Sequence, residues 1–235
     1  MNNAACPSDA PLPGGASPEH PREAAPISHA AAAPFVRDHH YLGTLPKSVT
    51  RNYGLYEDGL LVAVACYGPV HSAKMPKTWI ELRRLAKSFH CVMPLSQFLS
   101  QSLRALKADG IDAVLSWADM AMDHHGGIYQ ATNWIYTEPS SYNWNYSFRT
   151  ESGVVDHRQA FKMFGTSSKS KVLALRPEWE AFLPPMKLRY LMPLCMRKRR
   201  CLEVLRTVER PYPKPGTEGM PKRIPHSRRR EEGRR

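Results

Sequence analysis

The stretch that most limits the fold of this chain runs from Trp79 to Trp117. Trp79 to Ala86 reads as a strand. Pro94 then opens a helix, because the first helical turn leaves unused the N–H that proline lacks. Phe98, Leu99, Ser102, Leu103 and Leu106 recur at helical spacing, and Gly110 closes the helix. Ala113 to Trp117 reads as a buried strand. A helix joining two neighbouring strands is the βαβ crossover, whose strands run parallel. The spacing therefore predicts a sheet with a parallel pair at its centre.

The flanking segments extend that sheet. Asn52–Tyr56 and Leu60–Tyr67 are β-rich and enclose Glu57-Asp58-Gly59, a turn signal that predicts an antiparallel hairpin. Asp123–Asn133 reads as a second helix, Trp134–Thr137 as a further strand, and Lys187–Leu191 as a last one. The fold class is α/β or α+β, and periodicity alone leaves both open. The folded domain is expected over residues 35–194. Residues 1–34 hold ten Ala and seven Pro, half of the segment, and are expected to be disordered. Residues 195–235 are expected to form a basic extension, disordered past residue 211.

Charge is unevenly placed. The chain of 235 residues carries 33 Lys+Arg against 21 Asp+Glu, a net of +12. From Leu183 to Arg235 there are 16 basic and 5 acidic side chains, and the remainder holds 17 and 16. A near-neutral body with a basic end suits a polyanionic partner such as double-stranded DNA, although a solvated basic tail would show the same bias. No apolar run approaches the roughly 20 residues of a membrane helix, so no membrane partner is expected. The N-terminus lacks the charged and apolar regions of a secretory signal. The cysteines at 6, 66, 91, 195 and 201 form no C-x-x-C pair, which points to a reducing cytoplasm.

Ile111 to Tyr136 is the most informative segment. A strand ending Ser-Trp-Ala-Asp leads into His-His-Gly-Gly-Ile-Tyr-Gln-Ala-Thr-Asn-Trp. Together with His40-Tyr41-Leu42-Gly43, Glu81-Leu82-Arg83-Arg84-Leu85, Ser96-Gln97-Phe98-Leu99 and Lys187-Leu188-Arg189-Tyr190, this segment resembles the phage Mom-like DNA modification proteins. These are a divergent branch of the GNAT acyltransferases. The pieces occur in order from Phe35 to Leu194. The resemblance implies a GNAT-like mixed β-sheet flanked by helices, with a small-molecule group donor bound where two parallel strands part. It implies conversion of DNA adenine to its N6-carbamoylmethyl form, which shields phage DNA from host restriction. It also implies an acyl-CoA-like donor. The usual glycine-rich pyrophosphate loop is replaced here by Met93-Pro94-Leu95-Ser96-Gln97-Phe98.

The same resemblance distributes roles. Asp119 is expected to accept a hydrogen bond from the adenine amine; the competing reading is a helix N-cap. Tyr129 is expected to act as general acid, with Tyr136 as its rival. His40 and Tyr41 would stack on an extruded base, and His40 could shuttle a proton. Arg83 would grip a donor phosphate, unless it forms a surface pair with Glu81. Which of Arg83 and Arg84 faces the pocket stays open. The Ser96 hydroxyl would add a donor at the helix N-terminus.

His124-His125 and His39-His40, with Asp119 or Asp123, are candidates for a two-His-one-carboxylate Fe(II) site, although adjacent histidines seldom ligate together. Lys162, Lys169, Lys171, Arg197, Lys198, Arg199 and Arg200 are the candidate DNA contacts. Tyr142, Trp144 and Tyr146 are candidate wedges, or plain packing residues. A homodimer is compatible with the sequence, which does not fix oligomeric state. Two other functions stay open: a conventional acetyltransferase, and a non-catalytic DNA-binding protein on the same scaffold.

Overall fold

A computed structural model describes residues 23–122, 124–139, 145–184 and 187–214. Seven strands build the main sheet: β1 (Ala25–Pro26), β2 (Arg51–Glu57), β3 (Leu60–Pro69), β4 (Trp79–Lys87), β5 (Ala113–Asp119), β6 (Ile135–Pro139) and a late strand (Lys187–Pro193). Three short strands form a second sheet: β7 (Ser147–Thr150), β8 (Gly153–Val155) and β9 (Glu180–Phe182), which makes the late strand β10. The order in the large sheet is β1-β2-β3-β4-β5-β10-β6. β4 and β5 are its parallel pair, and the other neighbours are antiparallel. This is the mixed sheet that the crossover predicted.

The crossover helix α2 spans Leu95–Ala108, and its buried residues are Phe98, Leu99, Ser102, Leu103 and Leu106. They pack on Tyr53, Leu55, Ala63, Ala65 and Tyr67 of β2 and β3 and on Ile80 and Leu82 of β4. The opposite face of β3 and β4 presents Val64, Cys66 and Ala86 to Ala32, Phe35 and Val36 of α1 (His29–His39). Farther along that face, Trp79, Leu115, Ile135 and Leu191 pack around Cys201 of α6 (Lys198–Leu205). Helices therefore cover both sides of the sheet.

Two expected boundaries move. Residues 23–34 were expected to be disordered, yet they hold β1 and most of α1. Ser28 caps that helix by accepting from the amide of Ala31, and alanine has the strongest helix propensity. The apolar stripe that pins it comes from Phe35 and Val36, just past the alanine run. At the other end, α6 docks on the sheet, so the extension past 195 is part of the fold. Its chain then returns along β6, where the Arg210 amide donates to the Tyr136 carbonyl and the Tyr212 hydroxyl to the Trp134 carbonyl.

The second sheet, ordered β8-β7-β9, packs with α4 (His157–Phe164) and α5 (Lys169–Leu175) around Phe148, Ala160 and Val172. Asp156 and Gln159 close a reciprocal capping box at the start of α4. Among the described residues, no helix is long and apolar enough to cross a membrane.

Candidate active site

The parallel pairing is short. Trp79, Ile80 and Glu81 pair with Ala113, Val114 and Leu115, and there the pairing ends. One residue farther on, the Ser116 hydroxyl still reaches the Leu82 carbonyl at 3.4 Å. The register of β4 against β3 slips at Arg83, so β4 bulges away at the same level. A cleft of about 300 Å³ opens between the diverging strands. Its walls include Leu82, Arg83, Arg84, Leu95, Ser116 and Trp117, with His40 and Tyr41 on one side and His124 through Tyr129 on another.

Tyr129 stands on α3, which is a single turn (Gly127–Gln130) and not the long helix expected from Asp123 to Asn133. Gly126 at φ +82° and Asn133 at φ +59° end helical geometry on both sides. Gly126 lies so close to Tyr190 that an added Cβ would sit 2.3 Å from that ring. The Tyr190 hydroxyl donates to the His125 carbonyl at 2.9 Å and fixes the approach. Tyr129 is held between Tyr190 (ring centroids 4.8 Å) and Trp134 (5.0 Å). Its hydroxyl meets Ser116 Oγ at 2.8 Å. Ser116 has one proton, and the Leu82 carbonyl can only accept, so Tyr129 is the donor of its own bond. Burial holds the Tyr129 phenol above its ordinary value. The chain Tyr129–Ser116–Leu82 thus carries a protonated phenol to the point where the strands part. The rival Tyr136 is buried against Tyr190.

His40 and Tyr41 stack at 4.5 Å, and His124 meets Tyr41 edge-on at 5.6 Å. The Leu42 amide donates to His40 Nδ1, so in the neutral ring the proton is on Nε2. Burial chiefly, then the charges of Arg84 and His124, lowers His40 to about 4. The ring is neutral at physiological pH. Burial, and secondarily the Asp119 carboxylate, pushes the Tyr41 phenol up to about 12. His40 and Tyr41 are thus both uncharged at physiological pH.

Asp119 is not in the cleft wall. It ends β5 beside Tyr41 and pairs with Lys187 Nζ at 2.9 Å, with its side chain 14% exposed. Lys187 faces it directly in the β5–β10 register. Asp119 directly precedes a 3-10 turn, Met120–Met122, and the N-cap of α3 is Gly126. Its carboxylate thus interacts with Lys187, a partner that sequence reasoning missed, and with the cleft-wall residue Tyr41.

The Glu81–Arg83 pair is not a surface pair. The two meet at 3.1 Å with side chains only 12% and 7% exposed. Arg83 also contacts His71 and the Pro69 carbonyl. Glu81 Oε2 and Arg83 Nε have no hydrogen-bond partner among the described residues. Burial pushes Glu81 up to about 7, against the opposing pull of Arg83, Arg84 and Lys187. Glu81 is thus a carboxyl titrating near neutrality at the last paired rung; the sequence marked it only as a partner for Arg83 and a member of the Glu81–Leu85 motif. His71 is lowered by burial, then by Arg83 and Arg158; Arg83 is lowered chiefly by burial, with Arg158 adding to it against Glu81. Arg158, near the start of α4, is therefore within electrostatic reach of this cluster. Arg84 donates to the Thr44 and Arg83 carbonyls. Both arginines line the cleft, but both are extensively engaged.

The approach to α2 is already occupied by a carboxylate. Glu57, 6% exposed, accepts from the amides of Val92 and Met93 at 2.7 and 2.9 Å. A donor pyrophosphate would not find those two amides free. Leu95 rather than Ser96 is the helix residue in the cleft wall. The histidines proposed for iron do not assemble a ligand set: no group of three His, Cys, Asp or Glu side chains with metal-binding geometry occurs among the described residues. Asp123, Tyr142 and Trp144 lie outside the described residues.

The candidate DNA contacts fall in two places. Lys162 lies on α4 and Lys169 and Lys171 on α5. Lys198, Arg199 and Arg200 lie on α6, preceded by Arg197 at the N-cap. On α6, Lys198 pairs with Glu209, while Arg199 and Arg200 share Glu203. Tyr146, half-buried, lies under the ammonium of Lys169 at 5.1 Å.

The chain belongs to the Mom protein family, whose profile matches residues 23–214. No curated protein sequence matches it. Similar crystal structures include the ribosomal-protein-S18-alanine N-acetyltransferase of Escherichia coli, at 10% identity, covering 74% of this chain and 94% of that one, with a TM-score of 0.44. An N-acetyltransferase of Staphylococcus aureus Mu50 matches at 14% identity over 61% of this chain and 67% of that one, with a TM-score of 0.37. A GNAT-family N-acetyltransferase of Escherichia coli in complex with CoA matches at 16% identity over 48% and 69%, with a TM-score of 0.36.

Two predictions follow from this geometry. Gly126→Ala should cost about 3 kcal/mol or more, from the left-handed backbone and the Tyr190 clash together; an unchanged urea midpoint would refute the close approach. His40 binds a proton in the unfolded chain below its ordinary value of 6.5 but in the folded chain only near 4. It therefore opposes folding increasingly as pH falls through that window. Between pH 7 and pH 4.5 the melting temperature of His40→Gln should fall less than that of the unaltered protein, and equal falls would discount the effect.

Proposed function

We propose that this protein is a GNAT-like transferase that modifies the N6 position of adenine in double-stranded DNA. The observation that carries the reading is the cleft between the parting parallel strands, with the Tyr129 hydroxyl led into it, in a chain of the Mom family. The product assigned by the resemblance is N6-carbamoylmethyladenine, which protects phage DNA from restriction in the host cytoplasm.

The exocyclic amine of adenine is a poor nucleophile, because its lone pair is delocalised into the ring, and it lies inside the duplex. The base must be extruded and its amine relieved of a proton as the new bond forms. The wall of His40, Tyr41 and His124 suits the flat face of an extruded purine. Asp119, paired with Lys187 at the cleft margin, would accept a hydrogen bond from the amine. Tyr129 holds the proton that a departing group would take.

An acyl-CoA-like donor would place its reactive limb between β4 and β5. Its phosphates would be left to the Leu95–Ser96 end of α2, since Glu57 holds the preceding amides. A carbamoylmethyl group is joined through a methylene carbon, so attack on a thioester carbonyl alone does not form it.

Expression in bacteria, followed by nucleoside mass spectrometry of the DNA, tests the reading. A modified deoxyadenosine is expected. Only unmodified deoxyadenosine from well-folded protein would overturn it, and acetylation of a protein or small amine instead would favour the conventional acetyltransferase. Tyr129→Phe should lower the modified fraction by about a hundredfold, the scale of a lost general acid. Full modification by that variant would remove Tyr129 from the role.

A further inference from the structure

Two groups of cations face solvent, and their surroundings differ. On α6 the basic side chains are drawn into pairs with Glu203 and Glu209. In the smaller sheet's unit three acids are taken elsewhere, Glu180 by Arg149, Glu178 by Arg176 and Asp156 by the capping box, and Glu151 lies in the β7–β8 turn. Arg158, Lys162, Lys169 and Lys171 are in no ion pair among the described residues.

The same unit exposes apolar surface beside those charges. On α4, Ala160 and Phe164 turn inward, and Phe164 packs edge-on against Trp179. Phe161 turns outward and is 60% exposed. Phe161 and Tyr146 line an open hollow of about 470 Å³, completed by the 165–168 loop and Lys169. Aromatic rings beside hydroxyls and a cation are what a nucleotide requires: faces for a base or sugar, and donors for a phosphate.

We propose that α4 and this hollow form the ledge that holds the DNA strand next to the extruded base. The inference rests on the DNA-modifying reading and adds where the polymer is gripped. Arg158 acts electrostatically on Arg83, which lines the cleft. From Arg158 to the hollow at Gly165 the helix climbs about 10 Å at 1.5 Å per residue. At 3.4 Å of duplex axis per nucleotide, a helix lying along the duplex would span about three nucleotides. Arg158 and Lys162 meet the intervening phosphates, Lys169 meets the phosphate at the hollow, and Phe161 and Tyr146 pack on the nucleotide there. The paired cations of α6 contribute less.

The experiment is fluorescence anisotropy of the full chain with a labelled duplex over a salt series. Lys162→Gln with Lys169→Gln should lower affinity by about tenfold or more and flatten the slope of log K against log salt by about 2, one phosphate per lysine. Lys162→Arg with Lys169→Arg should restore both. Phe161→Ala should lower affinity by about tenfold with the slope unchanged, because stacking releases no counterions. Arg199→Gln with Arg200→Gln should change the slope by less than the lysine pair does. If the unaltered protein binds DNA but the lysine-to-glutamine pair binds with the same affinity and slope, the ledge is overturned and the DNA-modifying reading stands. Failure of the unaltered protein to bind DNA at all would overturn that reading, and the ledge with it.

Discussion

The site depends on a pairing that stops early. β4 and β5 share only three rungs before they separate. Ordinary parallel strands would go on hydrogen-bonding and leave no room between them. Here the bulge at Arg83 turns β4 aside, and the Ser116 hydroxyl spans the first step of the gap. Everything placed in the cleft is measured from that fork. α2 packs across one face to keep the strands at their separation. The tight turn at Gly126 drops Tyr129 onto Ser116. The aromatic wall of His40 and Tyr41 comes from the chain leaving α1.

The central crossover was legible because its signals are local and redundant. Pro94, the stripe from Phe98 to Leu106 and Gly110 agree on one helix, and its neighbours agree on two strands. α1 was hidden by composition: alanine and proline resemble a disordered tail, and the residues that bury it lie beyond the run. The small sheet was hidden by length, since strands of three or four residues are too short for alternation to show. The second helix shrank to one turn because Gly126 and Asn133 set the backbone where helical spacing suggested otherwise.

At the site, residue types were more readable than their partners. His40, Tyr41, Arg83, His124, His125 and Tyr129 do share one cleft. Asp119 stands at its edge, because β10 brings Lys187 across from it, and a register between strands some seventy residues apart leaves no local trace. The Glu57 clamp on Val92 and Met93 is likewise a long-range contact. It gives a physical reason for the missing glycines. A loop that must wrap an internal carboxylate need not admit a diphosphate at the same amides.

The return of the chain along β6 has a consequence for assembly. A sheet ends in rows of unsatisfied backbone groups that invite a strand from another molecule. One margin of this sheet is the two-residue β1, too short to recruit a long strand. The other is β6, where the segment carrying Arg210 and Tyr212 already engages the carbonyls of Tyr136 and Trp134. The segment that follows α6 thus acts as a selvedge, finishing the sheet within a single chain. Strand addition from a second copy is thus hindered at both margins of this sheet among the described residues, and shortening the chain before Arg210 would unpick the finished border.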